Sequence, residues 1–132
     1  MSDCLFCRIV AGEIGSLKVY EDAAAFAFLD IAPAKPGHTL VVSKRHVPHA
    51  LSDAAALAGL APAITAVGGL LTERLSADGM NILSNVHGVA GQSVFHLHVH
   101  LIPRFAANPG VARMLVPDEG IDVAAIHARL VG

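Results

Sequence analysis

Two periodicities organise the chain. From Phe95 to Ile102, apolar residues and histidines alternate strictly, with Leu97, Val99 and Leu101 in one phase and His96, His98 and His100 in the other. Successive strand side chains point to opposite faces, so the stretch predicts a strand. Its Leu/Val row faces a core, and its histidines line the other face about 6.6 Å apart. Wound as a helix, the same residues would scatter around the cylinder. The second pattern runs from Asp53 to about Ser76, where Leu57, Leu60, Ile64, Val67, Leu70, Leu71 and Leu75 recur at helical spacing. It predicts one long helix with a broad apolar face and Ser52 as its cap. Pro62 must kink this helix or start its main segment, because proline removes an interior hydrogen bond.

The remaining elements are shorter. Cys4 to Ala11 reads as a short helix stopped at Gly12. Leu17 to Glu21 and Ala24 to Asp30 read as strands joined at Asp22-Ala23. Pro33, Pro36 and Gly37 break the chain into a loop. A third strand follows from His38 to Ser43, with Lys44-Arg45-His46 as a polar exit. Met80 to Val86 makes a fourth strand, and His87 to Gly91 a loop into the histidine strand, which Pro103 is expected to end. Asn108-Pro109-Gly110 reads as a turn and Ile121 to Val131 as a terminal helix. Short strands at hairpin distances with helices set apart predict an α+β fold with an antiparallel sheet. One domain is expected over residues 1–132, its core at about 4–104 and a tail from 105.

Composition narrows the function. The 132 residues are 54% hydrophobic with a formal net charge of −2, and no Lys/Arg cluster exceeds Lys44-Arg45. That excludes nucleic-acid tracking and membrane-surface binding as expectations. No apolar run is expected to span a membrane. The start, Met1-Ser2-Asp3-Cys4, lacks the charged and apolar regions of a secretory signal, so a cytoplasmic protein is expected. Cys4 and Cys7 are spaced C-x-x-C with no strand before them, which fits half a metal site better than a redox pair. Three imidazoles at period two add metal binding, proton transfer near neutral pH and nucleophilic attack on phosphorus to the chemistry available.

These residues carry a resemblance. His96-Leu97-His98-Val99-His100-Leu101-Ile102 resembles the His-x-His-x-His-x-x motif of the histidine-triad (HIT) family. Asp30-Ile31, Pro36-Gly37-His38 before Thr39-Leu40-Val41-Val42, and Gly91-Gln92-Ser93-Val94 fall where that family has counterparts. The match spans roughly Cys4 to Arg104 and is similar to the zinc-binding, bacterial-type members near the nucleotide-binding, Hint-like branch. The resemblance implies a five-stranded antiparallel sheet with a short N-terminal helix and one long helix. It also implies a homodimer whose sheets join into ten strands.

For the site, the resemblance implies His98 as the nucleophile, forming a nucleotidyl-histidine intermediate that water hydrolyses. His100 and His38 would contact phosphate, Ser93 would lie near the leaving group, and the Val94 N–H would be a further donor. Asp30 would hold the ribose hydroxyls, Asn85 the phosphate or the ribose 5′ side, and Gln92 would belong to the substrate-binding set. Phe6, Ile9, Phe28, Leu29 and Leu40 would form an apolar slot for the base. Cys4, Cys7, His46 and His96 would hold a structural zinc, with no metal needed for catalysis. The implied substrates are purine nucleoside phosphoramidates and related AMP-X compounds. Hydrolysis of dinucleoside polyphosphates is the alternative, since the chain has no Trp where the amine-releasing branch carries one. A nucleotide-binding module without turnover stays open, as does a metalloenzyme using the triad as ligands. His49, His87 and His127 are read as surface or loop residues.

Overall fold

The structure is a computed structural model that describes residues 3–111 and 114–132. Met1 and Ser2 of the N-terminal stretch, and tail residues 112 and 113, lie outside the described residues. In chain order the elements are α1 (Leu5–Val10), β1 (Lys18–Glu21), β2 (Ala25–Leu29), β3 (Thr39–Ser43), α2 (Ala54–Ala58), α3 (Ala61–Leu75), β4 (Gly79–Leu83), β5 (His98–Arg104) and α4 (Val123–Val131). The five strands form one antiparallel sheet in the order β1-β2-β3-β5-β4. The histidine strand is therefore paired on both sides.

Period-two alternation sorts three strands onto two cores. Ala25 and Ala27 of β2, Val41 of β3, and Leu97, Val99 and Leu101 face a cluster closed by Ala56, Leu60, Ala63, Val67 and Leu71 of the helical segment. Phe26 and Phe28, Leu40 and Val42 face the opposite way, against Phe6 and Ile9 of α1. Small side chains on the first face let the helical segment approach closely, while phenylalanines on the second fill the space beside a helix of six residues. The histidine face is thus a second packed layer, and His96 and His98 are buried in it.

Several expectations need correction. The long helix is two segments, with Gly59 and Leu60 between them and Pro62 in the first turn of α3, where its missing N–H costs nothing. The α2 cap is Asp53, whose Oδ1 accepts from the Ala56 N–H at 3.0 Å, and Ser52 bonds at His49 instead. The strand β5 starts at His98 and runs through Pro103 to Arg104. Its pairing with β3 stops at Leu101, so at Pro103 it has a partner on one side only, which is where a strand tolerates proline. The turn after it closes at Phe105–Asn108, with the Asn108 N–H on the Phe105 carbonyl at 2.7 Å, rather than at Asn108-Pro109-Gly110. By length and composition, Ala54–Leu75 is long and apolar enough to cross a membrane, against the expectation. Here it is broken at Gly59-Leu60, and Leu60, Ala63, Val67 and Leu71 are buried against the sheet.

Candidate active site and metal centre

On the α1 face, cross-strand register builds the site. Leu40 pairs with His100 and Phe28 with Leu40, which sets these three side chains in one row. They line a cleft of about 270 Å³ together with Phe6, Ile9, Leu29, Asp30, Ser93, Val94 and His98. The sequence reading missed Leu5, Ile31 and the Ile14-Gly15-Ser16-Leu17 link between α1 and β1, which also line it. That link carries no periodicity, so only its position between two packed elements reveals it.

Backbone atoms decide what each histidine can do, because a peptide N–H only donates and a carbonyl only accepts. The His98 Nδ1–H donates to the His96 carbonyl at 2.7 Å, so its Nε2 carries the lone pair. Burial holds His98 below the usual imidazole range, against the opposing pull of the His96 carbonyl and Asp30. It is therefore a neutral imidazole at pH 7. His100 lies beside it, with ring centroids 5.1 Å apart, and is pushed down to about 4 by burial first and by His98 and His38 next. His38, also lowered chiefly by burial, sits behind His100 with its Nε2 3.0 Å from His100 Nδ1 and 3.6 Å from Asp30 Oδ2. Asp30 lines the cleft and also makes a turn, its Oδ1 accepting from the Ala32 N–H at 2.9 Å.

Three expected contact residues stand elsewhere. His38 does not line the cleft and reaches it only through His100. Asn85 also lies outside the lining and packs beside Gly91. The side-chain amide of the buried Gln92 is spent on the backbone: Nε2 donates to the carbonyls of Pro48 at 2.7 Å and Val94 at 3.1 Å, and Oε1 accepts from the His87 N–H at 2.8 Å. Gln92 therefore ties the loop carrying Ser93 to the segment after β3. His49 and His87 stack edge-on near that loop, with centroids 4.9 Å apart.

A second cluster adjoins the first. Ligand atoms of Cys4, Cys7, His46 and His96 all lie within 4.8 Å of one another. His46 Nδ1 and His96 Nδ1 are 3.1 Å apart, and the Sγ–Nδ1 separations run from 3.2 to 3.4 Å. A tetrahedral zinc site with bonds of about 2.0–2.3 Å has edges of about 3.3–3.8 Å, so this donor set fits with a small expansion. The His96 Nε2–H donates to the Ser43 carbonyl at 2.5 Å, which leaves the Nδ1 lone pair aimed at the thiols. Phe6, between the two cysteines, stands edge-on to both His96 (5.9 Å) and His98 (4.9 Å) and joins the two clusters.

An antiparallel five-stranded sheet, with a histidine strand paired on both sides and a cleft lined by its imidazoles, defines a histidine-triad protein. The chain belongs to the HIT domain family, whose model matches residues 11–107. It is similar to the crystal structure of SMU.412c from Streptococcus mutans UA159, at 46% identity and a TM-score of 0.89, covering 98% of this chain and 82% of that one. It is 41% identical to Protein hit of Bacillus subtilis over 109 residues, 82% of this chain and 75% of that protein. It is also 41% identical, over 103 residues, to the adenosine 5′-monophosphoramidase hnt1 of Schizosaccharomyces pombe, 76% of this chain and 74% of that protein.

Proposed function

We propose that this chain is a nucleotide hydrolase that cleaves purine nucleoside phosphoramidates and related AMP-X substrates through a nucleotidyl-histidine on His98. The observation that carries this reading is the buried, neutral His98, its Nδ1–H held by the His96 carbonyl so that Nε2 is nucleophilic in a cleft. His98 Nε2 attacks the α-phosphorus, a P–Nε2 bond forms, and the P–N bond to the leaving amine breaks. The amine departs with a proton delivered through the Ser93 hydroxyl or water. Water then attacks phosphorus, the P–Nε2 bond breaks, and nucleoside monophosphate leaves with His98 neutral again. His100 and the Val94 N–H supply donors where charge builds on the phosphoryl oxygens. Asp30 accepts from the ribose hydroxyls, and the apolar lining from Phe6 to Leu40 encloses the base. The yeast phosphoramidase relative supports an amine as leaving group over a second nucleotide.

The same reading assigns Cys4, Cys7, His46 and His96 to a structural zinc. Four N/S donors fill a tetrahedron and leave no position for substrate, so bound metal would supply only cross-linking. These residues would tie α1 to the end of β3 and to His96, whose carbonyl positions the nucleophile.

The test is intact mass after brief mixing with adenosine 5′-phosphoramidate and an acid quench, for the wild type and His98→Ala. An adenylyl adduct or turnover in the wild type and neither in the variant is expected. Full hydrolysis by the variant would remove His98 as nucleophile. Binding of AMP without turnover by either protein would favour a non-catalytic nucleotide-binding module.

A further inference from the structure

We propose that the Ala34 peptide N–H, acting through His38, fixes the proton of His100 on Nε2, so that the two adjacent imidazoles in the cleft hold opposite tautomers. The argument follows one chain of hydrogen bonds. The Ala34 N–H can only donate, and it reaches His38 Nδ1 at 3.0 Å, so that nitrogen carries the lone pair. A neutral His38 then bears its proton on Nε2, 3.0 Å from His100 Nδ1. That nitrogen must accept, and the proton of a neutral His100 falls on Nε2. His98 is set the other way, because the backbone atom facing its Nδ1 is a carbonyl. One peptide acceptor makes His98 a nucleophile, and one peptide donor makes His100 a hydrogen-bond donor.

The loop between β2 and β3 is built to hold that amide. The Asp30 N–H donates to the His38 carbonyl at 2.9 Å, and the His38 N–H to the Lys35 carbonyl at 3.0 Å. Gly37 has φ +88°, and the Thr39 hydroxyl donates to its carbonyl at 2.8 Å. The same bond answers a competing reading of Asp30, His38 and His100, whose ligand atoms also lie within 4.8 Å of one another. A cation there needs the lone pair of His38 Nε2. That would move the proton to Nδ1, against the Ala34 N–H. The trio is a tautomer relay, and His38 is a positioning residue acting through His100.

The consequence for catalysis rests on the nucleotidyl-transfer reading. With the proton on Nε2, His100 donates to a phosphoryl oxygen as charge develops; with the other tautomer it would present a lone pair to that charge. The relay itself is tested without substrate. Long-range ¹H–¹⁵N correlation spectra of the full chain, labelled at histidine and recorded near neutral pH, report which ring nitrogen is protonated. The expected result is Nε2–H for His38 and His100 and Nδ1–H for His98. In His38→Ala, His100 should become a tautomer mixture, with kcat lower by about tenfold or more and KM little changed. His38→Gln, whose amide can keep a donor at that place, should restore the single tautomer and most of kcat. An Nδ1–H tautomer for His38 or His100 in the wild type overturns the proposal, even if no variant folds. So does an unaltered His100 spectrum in a folded His38→Ala. Correct tautomers without any adduct would instead overturn the catalytic reading and leave the relay standing.

Discussion

Mild acid should destabilise this protein earlier than its carboxylates require, and His100 should account for much of the difference. Burial, His98 and His38 push its pKa from 6.5 to about 4, with Asp30 opposing. A group whose folded pKa is depressed binds its proton more weakly in the native state, so the unfolded chain takes up protons first as pH falls. The stability is fully present above the unfolded pKa near 6.5, is lost on the way down to about 4, and falls no further below that. At 1.36 kcal/mol per unit, the loss is about 3 kcal/mol by about pH 4. The ring keeps some solvent contact, which makes this an upper figure. His38 is depressed by the same cause and adds in the same direction. Urea denaturation of the wild type and His100→Gln, at about pH 7 and about pH 4, isolates the effect, since the variant does not titrate there. The wild type should lose about 2–3 kcal/mol more than the variant. Equal losses in the two proteins would refute the reasoning, because they would mean that the imidazole is not desolvated in the native state.

Other outcomes follow from packing and ligation. Leu97→Ala removes a fully buried side chain from the helix-side core and should cost about 2–5 kcal/mol in denaturant titration. Gly37→Ala should cost about 1–2 kcal/mol or more, read as a lower thermal midpoint, because φ is +88° and the added methyl would lie 2.5 Å from Leu75 Cδ1 and 3.2 Å from Leu71 Cδ2 and Pro103 Cγ. If the Cys/His cluster holds zinc, mass spectrometry under native conditions should find one ion in the wild type and none in Cys7→Ser. A chelator should then lower the thermal midpoint of the wild type to that of the variant.

Strand identity and the facing of Leu97, Val99 and Leu101 were legible along the chain, because alternation is a local property, whereas the members of both histidine clusters were named only through the family resemblance. Register was not. Nothing in the sequence places Leu40 opposite His100, or brings His46 Nδ1 within 3.1 Å of His96 Nδ1, fifty positions further along the chain. The break at Gly59-Leu60 was only half legible, since Pro62 marked the start of a segment without showing how the preceding turn would end. Gln92 shows the limit most plainly. A polar side chain beside a motif reads as a ligand contact, and only tertiary structure reveals that Pro48 and Val94 carbonyls and the His87 N–H already take up the Gln92 amide. Tautomers lie furthest from the sequence. Three histidines of identical chemistry differ in which nitrogen carries the proton, because each one's place is decided by a peptide group that the fold alone brings to it: the Ser43 carbonyl for His96, the His96 carbonyl for His98 and, through His38, the Ala34 N–H for His100.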